Sequence, residues 1–136
     1  MVKLIMGLSG SGKTKRLVEM VHEALETTSG SVVCIEKDKN LTYDIPYQVR
    51  LVHTKESGIC TNEMLSGFLL GLHAGNYDIT RIFIDDFYKI LNDCSDAAVE
   101  KFLNSLNAYS EREGIEFTIF ATADPEKVSE GIRKYF

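Results

Sequence analysis

Phosphate-binding chemistry is indicated by eight residues near the start of the chain, Gly7 to Thr14, which read GLSGSGKT. They match the spacing G-x-x-x-x-G-K-[ST] in full. Glycines in such a loop adopt backbone angles that other residues avoid, so that successive N–H groups can turn toward one anion. The lysine adds a full positive charge, and the final hydroxyl is a ligand suited to Mg²⁺. The segment therefore predicts a site for a phosphate group and its magnesium ion.

Each residue of this loop has an expected role. Lys13 is expected to lie beside the β- and γ-phosphates as a catalytic cation, and the Thr14 hydroxyl to bind Mg²⁺. Lys15 and Arg16 lie just past the motif and are expected to be solvated. A chance match, in which the segment is only a turn before a helix, has a probability on the order of 1% or less in a chain this short. The predicted nucleotide-binding residues of the loop are Gly7, Leu8, Ser9, Gly10, Ser11, Gly12, Lys13 and Thr14.

A second group of polar residues follows an apolar run in the segment RIFIDDF, Arg81 to Phe87. Four strand-like residues lead into Asp85 and Asp86, which predicts a buried strand that ends in two carboxylates. The alternative interpretation is a pair of solvated loop acids or helix-capping groups.

Together the two segments resemble the Walker A and Walker B motifs of P-loop nucleoside triphosphatases. The resemblance implies that Asp85 holds Mg²⁺. Many members of the family carry a glutamate at the next position, which polarises the attacking water. Asp86 stands there in this chain and is one methylene shorter, so it either serves as the base or makes hydrolysis slow.

The strand and helix segments between the two motifs resemble one branch of that family, which includes RecA-like ATPases and thymidine kinases. In that branch, an additional strand lies between the P-loop strand and the Walker B strand. The strand after Walker B often ends in a polar residue near the γ-phosphate. Thr122, in FATAD, stands at that place, and it can equally act with Asp124 to cap the last helix.

The strands and helices around these residues are predicted from the pattern of apolar residues. Strand-like apolar runs alternate with segments in which apolar residues recur at helical spacing, which predicts an α/β fold. The order predicts a mainly parallel sheet of about five strands, covered by helices on both faces in a three-layer α/β/α arrangement. One domain is expected over residues 1–136. The predicted strands are 2–6, 31–35, 49–54, 81–87 and 116–124.

Four helices are predicted between and after these strands. Asp124, Pro125 and Glu126 indicate the start of the last one, with a buried apolar stripe that ends at Phe136. Because parallel sheets bind ligands at the carboxyl ends of their strands, the same edge is expected to carry residues 36–38 and 53–55. His53 is expected to be an ordinary surface histidine.

Composition excludes several classes of partner. The net charge is −5 and there is no basic run, which argues against nucleic acid. No apolar run is long enough to span a membrane, and Lys3 with the glycine loop interrupts any signal-peptide pattern. The three cysteines form no metal-binding pattern and are expected to be free thiols, as in a cytoplasmic protein.

Three functions follow from these expectations. The first is an ATP-binding protein that acts as a Mg²⁺-dependent ATPase, a hydrolase. The alternatives are a small-molecule kinase of the nucleoside type and a non-catalytic, nucleotide-dependent switch or binding module. The absence of an N/T-K-x-D motif favours ATP over GTP. The resemblance also allows for a protein partner or self-association, since a neighbouring subunit completes the site in many RecA-like proteins.

Overall fold

Five parallel strands form the centre of the computed structural model, which describes residues 1–136. The strands are rich in Val, Ile and Phe, residues that suit a sheet buried on both faces. Their order across the sheet is β1-β5-β4-β2-β3, so the last strand in sequence lies between the first and the fourth. The bounds are β1 Val2–Gly7, β2 Ser31–Glu36, β3 Arg50–His53, β4 Ile79–Ile84 and β5 Glu116–Thr122.

Three long helices cross between these strands and three single-turn helices lie at the sheet edge or near the C-terminal end. The long helices begin and end at residues that suit those positions: Thr61 and Ser95 cap two of them with their hydroxyls, and Gly114 ends one in the left-handed conformation. None of the helices is both long and apolar enough to span a membrane. The helices are α1 Lys13–Thr27, α2 Thr54–Ser57, α3 Asn62–Ala74, α4 Phe87–Ile90, α5 Asp96–Glu113 and α6 Glu130–Arg133.

Apolar side chains cover both faces of the sheet, which confirms the predicted three-layer α/β/α arrangement. Helix α1 and the loop after β2 pack on one face, around residues such as Leu17, Leu41 and Phe83. Helices α3 and α5 pack on the other face, around residues such as Leu65 and Leu103. The loop after β2 therefore fills the place of a second helix beside α1.

The parallel register aligns the carboxyl ends of the strands. Gly7 at the end of β1 lies opposite Thr122 at the end of β5, and the Ala123 amide donates to the Gly7 carbonyl at 3.1 Å. Beyond β4, the Asp85 amide donates to the Ile35 carbonyl at 2.8 Å. The loops that follow β1, β4 and β5 therefore leave the sheet side by side.

The predicted start of the last helix, at Asp124 to Glu126, is wrong. The segment after Asp124 is a turn, in which the Asp124 carboxylate accepts from the Glu126 amide at 3.0 Å, and helix appears only over the four residues of α6. The Ser129 amide donates to the Asp96 carboxylate of α5 at 2.9 Å, so this segment is tied to a helix distant in sequence. Tyr135 is buried there, whereas Phe136, predicted to be buried, is 48% exposed.

Candidate functional site

The loop between β1 and α1 has the backbone shape that its glycines predict. Gly10 and Gly12 adopt φ values of +81° and +83°, in the left-handed region that favours glycine. Gly7 is required for space instead, because a Cβ atom there would lie 2.6 Å from the Ser11 hydroxyl oxygen. Larger residues at Gly10 and Gly12 would therefore strain the loop backbone, whereas a larger residue at Gly7 would displace the Ser11 hydroxyl.

Helix α1 begins without a side-chain cap. Its N-cap residue is Gly12, and its first turn contains no acidic residue. By contrast, Thr61 accepts from the Met64 amide and Ser95 from the Ala98 amide at the starts of α3 and α5. The first N–H groups of α1 thus have no side-chain acceptor, and together with the helix dipole they form a site suited to an anion.

Lys13 places its ammonium group over this loop. Its Nζ atom donates to the Leu8 carbonyl at 2.8 Å and to the Ser11 hydroxyl at 3.1 Å. Both acceptors are neutral, so these bonds orient the positive charge without neutralising it. An incoming phosphate would therefore meet an uncompensated cation beside the free amides of α1.

Asp85 is a buried carboxylate at the end of β4, with 7% of its surface exposed. Burial, followed by repulsion from the Asp86 carboxylate, raises the pKa of Asp85 to about 6. The charge on Glu36 acts in the same direction, and the Lys13 ammonium acts against it. A bound cation would relieve the cost of this buried negative charge, which is the property expected of a metal ligand.

Asp86 has a different conformation from its neighbour. It is the only non-glycine residue with positive φ, at 49°, and it stands at the N-terminal end of α4 without forming a capping hydrogen bond. Its carboxylate is half-buried and lies 3.8 Å from the Lys89 ammonium one helical turn later. Aspartate tolerates the left-handed region better than most residues, but such conformations still carry strain and are common at functional sites.

These groups line one cleft with a volume of about 430 Å³. The structure brings Lys13, Thr14, Asp85, Asp86 and Thr122 together there, as their sequence positions predict. Gly7, Leu8 and Ser11 are not among its lining residues; Leu8 is 59% exposed. The complete lining consists of Ser9, Gly10, Gly12, Lys13, Thr14, Lys15, Asp85, Asp86, Lys89 and Thr122.

Two further lysines line the cleft. Lys15 is exposed, as expected of a solvated residue, and also lines the cleft, whereas Lys89 is not among the residues that the sequence predicts for the site. Lys89 follows Asp86 by three residues, which places it in the cleft only because α4 forms a helical turn there. The only sequence signal for Lys89 is its position three residues after Asp86, the i, i+3 spacing at which an acid and a lysine meet on a helix.

The site fits a magnesium ion that shares its ligands with phosphate. No group of three or more His, Cys, Asp and Glu side chains is gathered to hold a metal on its own. Magnesium commonly takes only one or two protein ligands, with phosphate oxygens and water completing its shell. The Thr14 hydroxyl and the Asp85 carboxylate line the same cleft and supply oxygen ligands of that kind.

Glu36 and His53 lie at the same sheet edge but outside this cleft. Glu36 is 2% exposed, and its carboxylate accepts from the backbone amides of Asn40 at 3.0 Å and Leu41 at 3.1 Å. Burial raises the pKa of Glu36, and these amides oppose that shift. His53, predicted to be a surface histidine, is half-buried with its Nε2 atom 3.4 Å from Glu36. Glu36 therefore secures the loop after β2, whereas the buried His53 Nε2 atom has no hydrogen-bond partner.

A scan against protein-family models and a search of curated proteins each gave no match for this chain.

Proposed function

We propose that this protein binds ATP in the Lys13–Asp85 cleft and hydrolyses it in a Mg²⁺-dependent reaction. The main support for the proposal is one cleft that brings two kinds of group together. It is lined by the uncapped start of α1, with the Lys13 charge above it, and by the buried Asp85 carboxylate. One side of that cleft suits phosphate, and the other suits the cation that accompanies it.

The loop residues provide the binding part of this function. Backbone amides from Gly10 to Thr14 would bind the phosphates, with Lys13 beside the β- and γ-phosphates. Thr14 and Asp85 would hold the magnesium ion. When bound, that ion neutralises charge on the phosphate oxygens. Thr122, which lies between the ends of β1 and β4, would donate a hydrogen bond near the γ-phosphate.

Asp86 is the proposed base for hydrolysis. Its half-buried carboxylate would accept a proton from water while the water oxygen attacks the γ-phosphorus and the bond to the β–γ bridging oxygen breaks. ADP and inorganic phosphate are then the products. Lys13 and Lys89 would stabilise the negative charge that develops on the oxygens.

We also propose a cytoplasmic location, in line with three free cysteines, of which Cys60 and Cys94 are exposed. ATP is favoured over GTP for lack of a guanine-recognition motif. The kinase and switch alternatives use the same cleft and differ only in the step after nucleotide binding.

Phosphate release from ATP, measured with Mg²⁺ and with excess EDTA, tests the proposal. Mg²⁺-dependent release supports an ATPase. Saturable ATP binding without release contradicts hydrolysis and leaves the kinase or switch. Absence of ATP binding by folded protein contradicts the proposal as a whole.

A further inference from the structure

A second cleft adjoins the nucleotide cleft at the carboxyl edge of the sheet. It has a volume of about 330 Å³, at the lower end of the range for small-molecule sites. It is formed by the end of β2, the turn after α2, and the end of α4. Its lining residues are Lys37, Lys55, Gly58, Ile59, Cys60, Lys89, Ile90, Leu91 and Asn92.

The floor of the second cleft is apolar. Ile59, Ile90 and Leu91 expose only 8%, 3% and 8% of their surfaces, since each is anchored in the large core on the α3–α5 face. The floor is therefore fixed in place by packing. A flat apolar group of a ligand could lie on it without displacing any side chain.

The rim of the second cleft is positively charged. Lys37 directly follows β2 and Lys55 lies in α2, and the Lys55 amide donates to the Lys37 carbonyl at 3.1 Å. Lys89 stands on α4 at the border with the nucleotide cleft, since it lines both clefts. No acidic residue is among the lining residues.

The rim charges are only weakly compensated by neighbouring acids. The Lys55 Nζ atom lies 3.9 Å from the carboxylate of the exposed Asp38, and the Lys89 Nζ atom lies 3.8 Å from the Asp86 carboxylate. Lys37 forms no ion pair within 4.0 Å, although its side chain is half-buried. No acidic residue lines the second cleft although the protein has a net charge of −5, so the three lysines are the charged groups that a ligand there would meet.

We propose that the second cleft binds a small organic anion, a carboxylate or phosphate attached to a flat apolar body. The anionic group lies among the ammonium groups of Lys37, Lys55 and Lys89, and the apolar body lies on Ile59, Ile90 and Leu91. Charge and apolar surface act together, so neither a neutral ring nor a bare anion satisfies the site.

Lys89 makes the two clefts energetically dependent on each other. An anion in the second cleft draws the Lys89 ammonium away from Asp86, and phosphate in the nucleotide cleft draws it the other way. Binding at either site thus changes affinity at the other by the same factor. This coupling rests on the proposed nucleotide function, whereas the anion site itself does not.

Amide chemical shifts during titration with 2-naphthoate test the proposal. The probe carries a carboxylate on a flat apolar body, and the matched partial probes are acetate and the neutral 2-naphthalenemethanol. We expect 2-naphthoate to produce a saturable shift in the amide signals of residues 58–60 and 90–92. Acetate and 2-naphthalenemethanol should each bind at least about tenfold more weakly. Shifts confined to residues 10–14, or equal binding of the neutral alcohol, would overturn the proposal.

A lysine variant provides the second test. The double variant Lys37→Gln, Lys55→Gln removes two charges from the rim, that of the half-buried Lys37 and that of the exposed Lys55. It should weaken 2-naphthoate binding about tenfold. The control is Lys3→Gln, an exposed lysine on β1 away from the carboxyl edge, which should bind normally. Unchanged affinity in the double variant contradicts the anion site. The nucleotide function is tested separately with ADP and Mg²⁺, which should shift the amide signals of residues 10–14 in every variant.

Discussion

Asp85 and Asp86 are adjacent in the chain, yet the carboxylate of Asp85 is buried and that of Asp86 is only half-buried. Asp85 continues β4 and is 7% exposed, whereas Asp86 turns into the left-handed conformation with φ of 49° and begins α4. The turn between them separates a buried acid, the proposed ligand of the metal ion, from a half-buried acid, the proposed base, whose carboxylate lies 3.8 Å from the Lys89 ammonium. The two acids should therefore respond differently to substitution.

Asp86→Asn should separate turnover from binding. Asparagine also tolerates positive φ, so the turn is preserved, but the amide cannot accept a proton from water. We expect ATP affinity to stay within about threefold while phosphate release falls about 10²-fold or more. Titration calorimetry and a phosphate-release assay measure the two quantities. The control is Asp78→Asn, an exposed acid at the other edge of the sheet, and full turnover in Asp86→Asn would remove this residue from the mechanism.

Asp85 should make Mg·ATP binding depend on pH. Burial raises the pKa of Asp85 to about 6, and the ion binds the deprotonated carboxylate. Affinity should therefore rise as the pH passes upward through about 6, and below that value it should fall about tenfold per pH unit.

The matched measurement uses Asp85→Asn, titrated with Mg·ATP from pH 5 to pH 8. This variant lacks the titrating group, so it should bind weakly and keep only the pH dependence of ATP itself. A wild-type profile identical in shape to that of the variant would show that Asp85 does not control metal binding.

Gly12→Ala should distort the phosphate loop. Gly12 has φ of +83°, a conformation that residues with a Cβ atom rarely adopt, so the loop must shift. We expect ATP affinity to fall at least about tenfold, since the amides no longer converge on one phosphate. Gly67→Ala, in α3 with no atom near its Cβ position, is the control and should keep affinity. Equal affinities for the two variants would contradict the assigned loop geometry.

Glu36→Ala should destabilise the protein through the loop after β2. The buried carboxylate accepts backbone amides of Asn40 and Leu41, and both amides lose their acceptor in the variant. We expect the free energy of unfolding to fall by about 1–3 kcal/mol. Urea denaturation measures this change, with the exposed Glu26→Ala on α1 as the control within about 0.5 kcal/mol of wild type. Loss no greater than the control would mean that the loop does not depend on Glu36.

Residues fixed by local backbone rules could be predicted from the sequence. Gly10 and Gly12 have the expected left-handed conformation and a strand precedes Asp85 as expected, since each depends on neighbours within a few positions. Thr122 lies beside Gly7 because parallel strands bring their carboxyl ends to one edge. The predicted fold class and the convergence of these residues on one cleft follow from the same rule.

Features set by contacts between distant residues could not be predicted in this way. Lys89 enters the cleft through a single-turn helix that follows the left-handed Asp86. The turn after Asp124 replaces a predicted helix because Ser129 binds Asp96, thirty-three residues earlier in the chain. No local pattern distinguishes such pairings from the more common alternatives.

Calorimetric titration of wild type and Lys13→Ala with ATP in Mg²⁺ shows whether the loop from Gly7 to Thr14 binds the phosphates of ATP. The Lys13 ammonium forms no ion pair and should lie against phosphate, so we expect one saturable site in wild type. Affinity should fall by about 10²-fold in the variant. Circular dichroism verifies that both proteins are folded. Absence of binding by folded wild type, or equal affinity in Lys13→Ala, would contradict phosphate binding by this loop.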